Sequence, residues 1–268
     1  MLPHWTDNYI TIDGRQFHYT RTGNGSHPPL LLLHGFSDNG LCWLHLARDL
    51  EAHYDVILPD SRGHGLSARL QPGEEIDNTA DTAAIIKALG LNKPVVGGHS
   101  MGGLTATELG ARFPDLTSGL FLEDPAWVDP PPVDAPPDPN PFAEWLTHIE
   151  ELSSEEIIAH GKAMNPLWSD DEFPAWAASK RQLDQTIFEV GSILRPWREF
   201  LAPLTVPTLL IMPDDGIVSP VVAQEAASLS PHIQIAYVPN TGHNIRRENY
   251  PIYLETVLEF LSHLTFNR

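Results

Sequence analysis

Cysteine, basic charge and long apolar runs are all scarce in this chain of 268 residues. The single cysteine, Cys42, excludes an internal disulfide, so the core must hold the fold. Packing rather than reactivity is expected of that thiol, and one cysteine fits a reducing cytoplasm. Lysine and arginine number 16 against 35 aspartates and glutamates, a formal charge of −19. A field of that sign repels phosphate backbones and anionic headgroups, which removes nucleic acid from the expected partners. Its plain reading is a solvated, solubilising surface. No window approaches the roughly 20 apolar residues of a membrane span. The opening Met1-Leu2-Pro3-His4-Trp5 carries neither a basic start nor an apolar run. No secretory leader and a cytoplasmic location are therefore expected.

What is present is a chain long enough to bury roughly three quarters of its unfolded surface. Gly98-His99-Ser100-Met101-Gly102 is its most informative stretch. Ser100 stands between glycines where an apolar run, Pro94–Gly98, meets a helical pattern, Met101–Phe113. A strained strand-to-helix turn of this kind tolerates only small neighbours and lifts the serine hydroxyl to the carboxyl edge of a sheet.

Periodicity predicts an opening hairpin, Tyr9–Ile12 and Phe17–Thr20, around Asp13-Gly14. Buried strands are expected at Leu30–Leu33, Tyr54–Leu58, Pro94–Gly98, Gly119–Leu122, Thr208–Met212 and Ile233–Val238. Helices are expected at Leu41–Leu50, Asp77–Leu89, Met101–Phe113, Pro220–Ser228 and from about Asn249 to Leu264. Together they make an α/β fold with an eight-stranded, mostly parallel sheet flanked by helices.

No strand pattern interrupts the stretch from Asp124 to Pro203. It opens with a proline-rich run from Asp129 to Pro141, read as extended linker. Helical patterns follow, with Asn140 as a cap before Pro141 and Ser153 with Glu156 as a capping box. Further helices are expected at Asp170–Lys180 and Gln182–Phe200. The expected division is a core of residues 1–125 and 203–268 and a helical cap of residues 126–202, inserted after the sixth strand.

A serine hydroxyl needs a base to take its proton and a third group to hold that base. His243, in the loop after the last expected strand, is the candidate base. The developing oxyanion needs preorganised donors, for which the amides of Phe36 and Met101 are the candidates. His34, His99 and the loop Asp60-Ser61-Arg62-Gly63-His64-Gly65 are expected to be structural. Arg246 and Arg247 are expected to pair with local acids such as Glu248.

With His34-Gly35-Phe36, the Asp60–Gly65 loop, Gly98–Gly103 and Gly242-His243 in this order, the chain resembles the α/β-hydrolase fold enzymes over nearly its whole length. The resemblance implies a Ser–acid–His triad, a cap over the site, and no metal or organic cofactor. It also implies that dehalogenase and epoxide hydrolase chemistry, which uses an aspartate nucleophile, does not suit Ser100. Relatives place the acid after the seventh strand, where this chain reads Met212-Pro213-Asp214-Asp215-Gly216-Ile217-Val218 and lacks the usual preceding glycine. Counting back from Ile217-Val218 selects Asp215, and counting forward favours Asp214. Some relatives instead take the acid directly after the sixth strand, which is Asp124 here, with Glu123 pointing the opposite way.

The expected activity is hydrolysis of a small, hydrophobic or aromatic carboxylic ester or lactone through an acyl-enzyme. The lid tryptophans Trp145, Trp168, Trp176 and Trp197, with Phe36, are the candidate aromatic wall. A C–C bond hydrolase or haloperoxidase-like enzyme, or a slow-turnover small-molecule receptor, would use the same constellation.

Overall fold

The computed structural model describes residues 4–129, 141–188 and 196–264. The hairpin strands β1 (Thr6–Ile12) and β2 (Arg15–Arg21) lead into β3 (Pro29–Leu33), a short 3-10 turn and α1 (Leu44–Leu50). Strand and helix then alternate through β4 (Asp55–Pro59), α2 (Asn78–Ala88), β5 (Val95–His99), α3 (Met101–Arg112) and β6 (Gly119–Glu123). Next come α4 (Pro141–Thr147), α5 (Ser154–Met164), α6 (Phe173–Gln182) and α7 (Arg198–Leu201), with no strand among the described residues of this stretch. The chain closes through β7 (Thr208–Met212), α8 (Pro220–Leu229), β8 (Ile233–Tyr237), α9 (Ile245–Glu248) and α10 (Tyr250–His263).

The strands form one eight-stranded sheet in the order β1-β2-β4-β3-β5-β6-β7-β8. Only the β1–β2 and β2–β4 pairings are antiparallel. Alternation along the central strands splits their side chains between two cores. Leu31, Leu33, Val96, Leu120, Leu122 and Leu210 face one. Leu30, Leu32, Val56, Val95, Phe121 and Ile211 face the other, against α1 and α10. This two-sided burial is why these strands read as unbroken aliphatic runs. Helices α5 and α6 carry a smaller cluster of their own, built on Ile157, Phe173 and Trp176.

Two helix expectations differ from the structure, each for a tertiary reason. Leu41–Leu50 divides into a 3-10 turn over Gly40–Trp43 and α1, because the Gly40 amide donates to the buried Asp60 carboxylate at 2.7 Å. Cys42 lies in that turn, fully buried. The helix expected from Gln182 is broken at its start, and residues 189–195 of that expectation lie outside the described residues: Leu183 is extended, and Asp184 bonds outward, accepting from the Leu70 amide at 2.8 Å and donating to the Gly63 carbonyl at 2.8 Å. The Ser153–Glu156 capping box forms as read. The cap at Asn140 and the proline-rich run, apart from Asp129 and Pro141, lie outside the described residues.

The backbone is closely packed at the junction of β5 and α3. A Cβ on Gly98 would meet the Gly102 carbonyl oxygen at 2.2 Å. Gly98→Ala is therefore expected to force the turn apart at a cost of about 1–3 kcal/mol. A lowered melting temperature together with slowed chemical labelling of Ser100 would confirm it, and a fully native melt with native labelling would refute it.

Candidate active site

Ser100 occupies the corner between β5 and α3 with φ 51° and ψ −114°, a left-handed conformation rare for a side chain other than glycine. Its amide donates to the Glu123 carbonyl at 3.0 Å, and its carbonyl accepts from Leu104 and Ala126 at 3.0 and 2.9 Å. The surrounding backbone thus over-determines the strained turn. Met101 follows directly and opens α3, where first-turn amides have no partner within the helix.

His243 lies in the loop between β8 and α9. Its Nδ1 is 2.5 Å from Oδ2 of Asp124, whose side chain is 0% exposed while that of His243 is 35% exposed. Ser100, His243 and Phe36 line one cavity of about 390 Å³, together with Trp168, Trp176 and Met164. Trp145 and Trp197 pack elsewhere: Trp145 stacks on His160 and Trp176, and Trp197 on Trp127. The aromatic wall is therefore half of what the tryptophan count suggested.

The acidic positions sort by geometry. Asp124 follows β6 with φ 37°, and accepts from the Ile217 amide at 3.0 Å and the Val218 amide at 2.8 Å besides facing His243. Asp215 is exposed, and its backbone pairs with Gly242 and Thr241. Asp214 is also exposed, accepting from the Tyr237 hydroxyl and the Asn240 amide. The structure thus brings Asp124, and not Asp215 or Asp214, to the imidazole. The reason is the turn itself: it contributes amides rather than a carboxylate. A Cβ at Gly216 would meet Asp124 Oδ2 at 2.3 Å, so that glycine clears the space the carboxylate fills.

The neighbouring histidines have structural bonds. His34 Nδ1 donates to the Gly35 carbonyl at 2.8 Å and its Nε2 accepts from the Ser61 amide at 3.0 Å. His99 Nε2 donates to the His243 carbonyl at 2.9 Å, tying the serine turn to the histidine loop. Burial, reinforced by Arg246, holds the His99 imidazole well below its usual range. His64 is pushed down to about 3, chiefly by burial.

Asp38, Lys180 and Arg247, which also line the cavity, belong to a buried ionic cluster that sequence reading missed. Lys180 of α6 reaches Asp38 at 2.9 Å, and Arg247 reaches Asp38 at 3.0 Å and Glu172 at 3.2 Å. Arg246 pairs with Glu123 at 2.8 Å, so Glu123 does point away from the Asp124 side, as read. The arginines do not pair with Glu248, which instead accepts from the Gly242 amide. The cations decide the state of the central acid: burial alone would raise Asp38, but Arg247, Lys180 and Arg246 hold it well below the usual carboxylate range. These partners lie up to 209 positions apart, so local sequence carried no signal for them.

Among the described residues there is no group of three or more side chains set to hold a metal ion, and no helix is long and apolar enough to cross a membrane.

The geometry has parallels among known proteins. N-formylmaleamate deformylase of Pseudomonas putida is 28% identical over 95% of this chain and 96% of its own length. Lipase 1 of Psychrobacter immobilis is 27% identical, covering 86% of this chain and 75% of its own. The solved structure of an N-formylmaleamic acid deformylase from Pseudomonas putida superposes with a TM-score of 0.78 at 23% identity, covering 94% of this chain and all of the other. The alpha/beta hydrolase family profile matches residues 30–251. Sheet order, serine turn and profile agree, and the chain belongs to the alpha/beta hydrolase family.

Proposed function

We propose that this chain is a serine hydrolase of carboxylic esters or lactones. The observation that carries the reading is the 2.5 Å contact between buried Asp124 and His243, beside the cavity that Ser100 shares. Asp124 accepts the Nδ1–H of His243, which leaves Nε2 as the proton acceptor. As Ser100 Oγ bonds to the acyl carbon, its proton passes to Nε2, and the carbonyl electron pair moves to the oxygen. The amides of Phe36 and Met101 receive that oxyanion. Collapse expels the alkoxide, which takes the proton from Nε2. Water then repeats the sequence and releases the acid, restoring Ser100.

Residues 126–202 act in this reading as the cap, with Trp168 and Trp176 supplying apolar cover to the acyl or alcohol group. A second reading is cleavage of an N-formyl amide, favoured by the near-full-length match to N-formylmaleamate deformylase. The same groups serve it, with His243 protonating a departing nitrogen.

The test is labelling by a fluorophosphonate, followed by turnover of a panel of activated esters, lactones, N-formyl amides and ring-cleavage diketones. Stoichiometric modification at Ser100 with fastest turnover of esters or lactones is the expected result. No modification, together with tight ligand binding, would favour a receptor. Diketones as the best substrates would move the assignment to C–C hydrolysis.

A further inference from the structure

Lys180 is among the largest fully buried side chains, with only 1% of it exposed. Its ammonium donates to the Ser37 carbonyl, the Ser37 hydroxyl and the Asp38 carboxylate, each at 2.9 Å. All three acceptors lie on two consecutive residues directly after Phe36. Ser37 has φ 63°, and the Asp38 amide donates to the Gly35 carbonyl at 3.1 Å. Phe36 therefore sits inside a tight, strained turn whose far end is pinned from α6. Asp38 extends the tie through Arg247, four positions past His243. The lysine is itself held in place, with Nζ 5.1 Å from the centre of the Trp176 ring.

Burying an ammonium is costly, and an apolar side chain at 180 would fill the same space without that cost. What the lysine adds is direction: three fixed donors on a turn that has no regular secondary structure to hold it. We propose that Lys180 is a positioning residue for the oxyanion site, contributed by the cap helix α6 to the turn that aims the Phe36 amide. The proposal rests on the serine-hydrolase reading above. Preorganised donors of this kind act only while their aim is fixed before the reaction begins.

The experiment compares Lys180→Met with the double variant Lys180→Met/Asp38→Asn. The cluster balances Lys180, Arg246 and Arg247 against Asp38, Glu123 and Glu172. The single variant leaves an excess negative charge, and the double variant restores the balance. Turnover and KM on the best ester are measured with the affinity for an arylboronic acid, whose tetrahedral adduct on Ser100 occupies the oxyanion position. Both variants are expected to lose roughly a hundredfold in kcat at near-constant KM, in the range seen when one oxyanion donor is removed. Boronate affinity should fall by the same factor, while the double variant melts closer to the native protein.

Recovery of native kcat in the double variant would overturn the proposal, since charge balance alone would then explain the loss. A raised KM at unchanged kcat would also overturn it, by making Lys180 a substrate contact. Should Lys180→Met fail to fold, Ser37→Ala removes one acceptor only. A several-fold loss shared by kcat and boronate affinity is expected there, and no change in either overturns the proposal. Failure of the underlying reading would show separately, as a native protein whose Ser100 resists fluorophosphonate.

Discussion

Ser100→Ala is expected to lower turnover about a millionfold on whichever substrate the native enzyme cleaves best, if nucleophile, base and acid act as a unit. The substitution removes one oxygen and leaves the rest of the site intact. The turn at Ser100 is held by backbone bonds to Glu123, Leu104 and Ala126, none of which involves the hydroxyl. Folding should therefore be nearly unchanged, with a melting temperature within a few degrees of native. Substrate and product affinity should likewise persist, because the cavity lined by Trp168 and Trp176 is untouched. Loss of kcat with preserved binding separates removal of the nucleophile from collapse of the site. A variant that kept even a hundredth of native turnover would remove Ser100 from the chemistry.

The second large effect separates the acidic positions. Asp124→Asn is expected to cost about 10⁴-fold in kcat, as loss of the carboxylate partner does in a serine–histidine–aspartate unit. The bonds around Asp124 say why an amide cannot substitute. Oδ2 takes both the His243 contact and the Ile217 amide, while Oδ1 takes the Val218 amide. If the asparagine oxygen occupies the Oδ2 position, its NH2 group faces the Val218 N–H and two donors collide. If the NH2 occupies that position, it donates to Nδ1 and places the ring proton on Nε2, where it cannot accept from Ser100. Asp215→Asn, on an exposed side chain, should leave kcat within a few-fold of native. Steady-state kinetics on both, with circular dichroism to verify folding, decide the matter. Equal losses, or a larger loss at 215, would reverse the assignment.

The contrast between 124 and 215 also shows what the sequence could and could not convey. Strands β3, β5, β6 and β7 announce themselves because two-sided burial confines their polar residues, His99, Glu123 and Thr208, to the strand ends, and Thr208–Met212 is found with the bounds that its pattern implies. Ser100 is legible because its turn imposes a local requirement for small residues on both sides. The position of His243 follows from strand order. The acid escapes local reading because the turn 213–218 looks the same whether it offers a carboxylate or only its amides. Only the approach of β6 to β7 tells the two apart. Gly216 was the available clue, since it clears space for something arriving from elsewhere. Lys180 was harder still: it sits in a helix of ordinary pattern, and its acceptors lie 142 and 143 positions away.

Cys42 has a practical corollary. Buried in the turn before α1, with burial pushing its thiol up to about 11, it stays a protonated thiol at neutral pH. Maleimides should pass it by in the folded protein. The wild-type background therefore already serves as a cysteine-blank host for site-directed labelling. A cysteine introduced at Leu167, which is 64% exposed between α5 and α6, would carry a fluorophore or nitroxide in single copy, so that motion of these helices during turnover can be followed without first engineering the native thiol away.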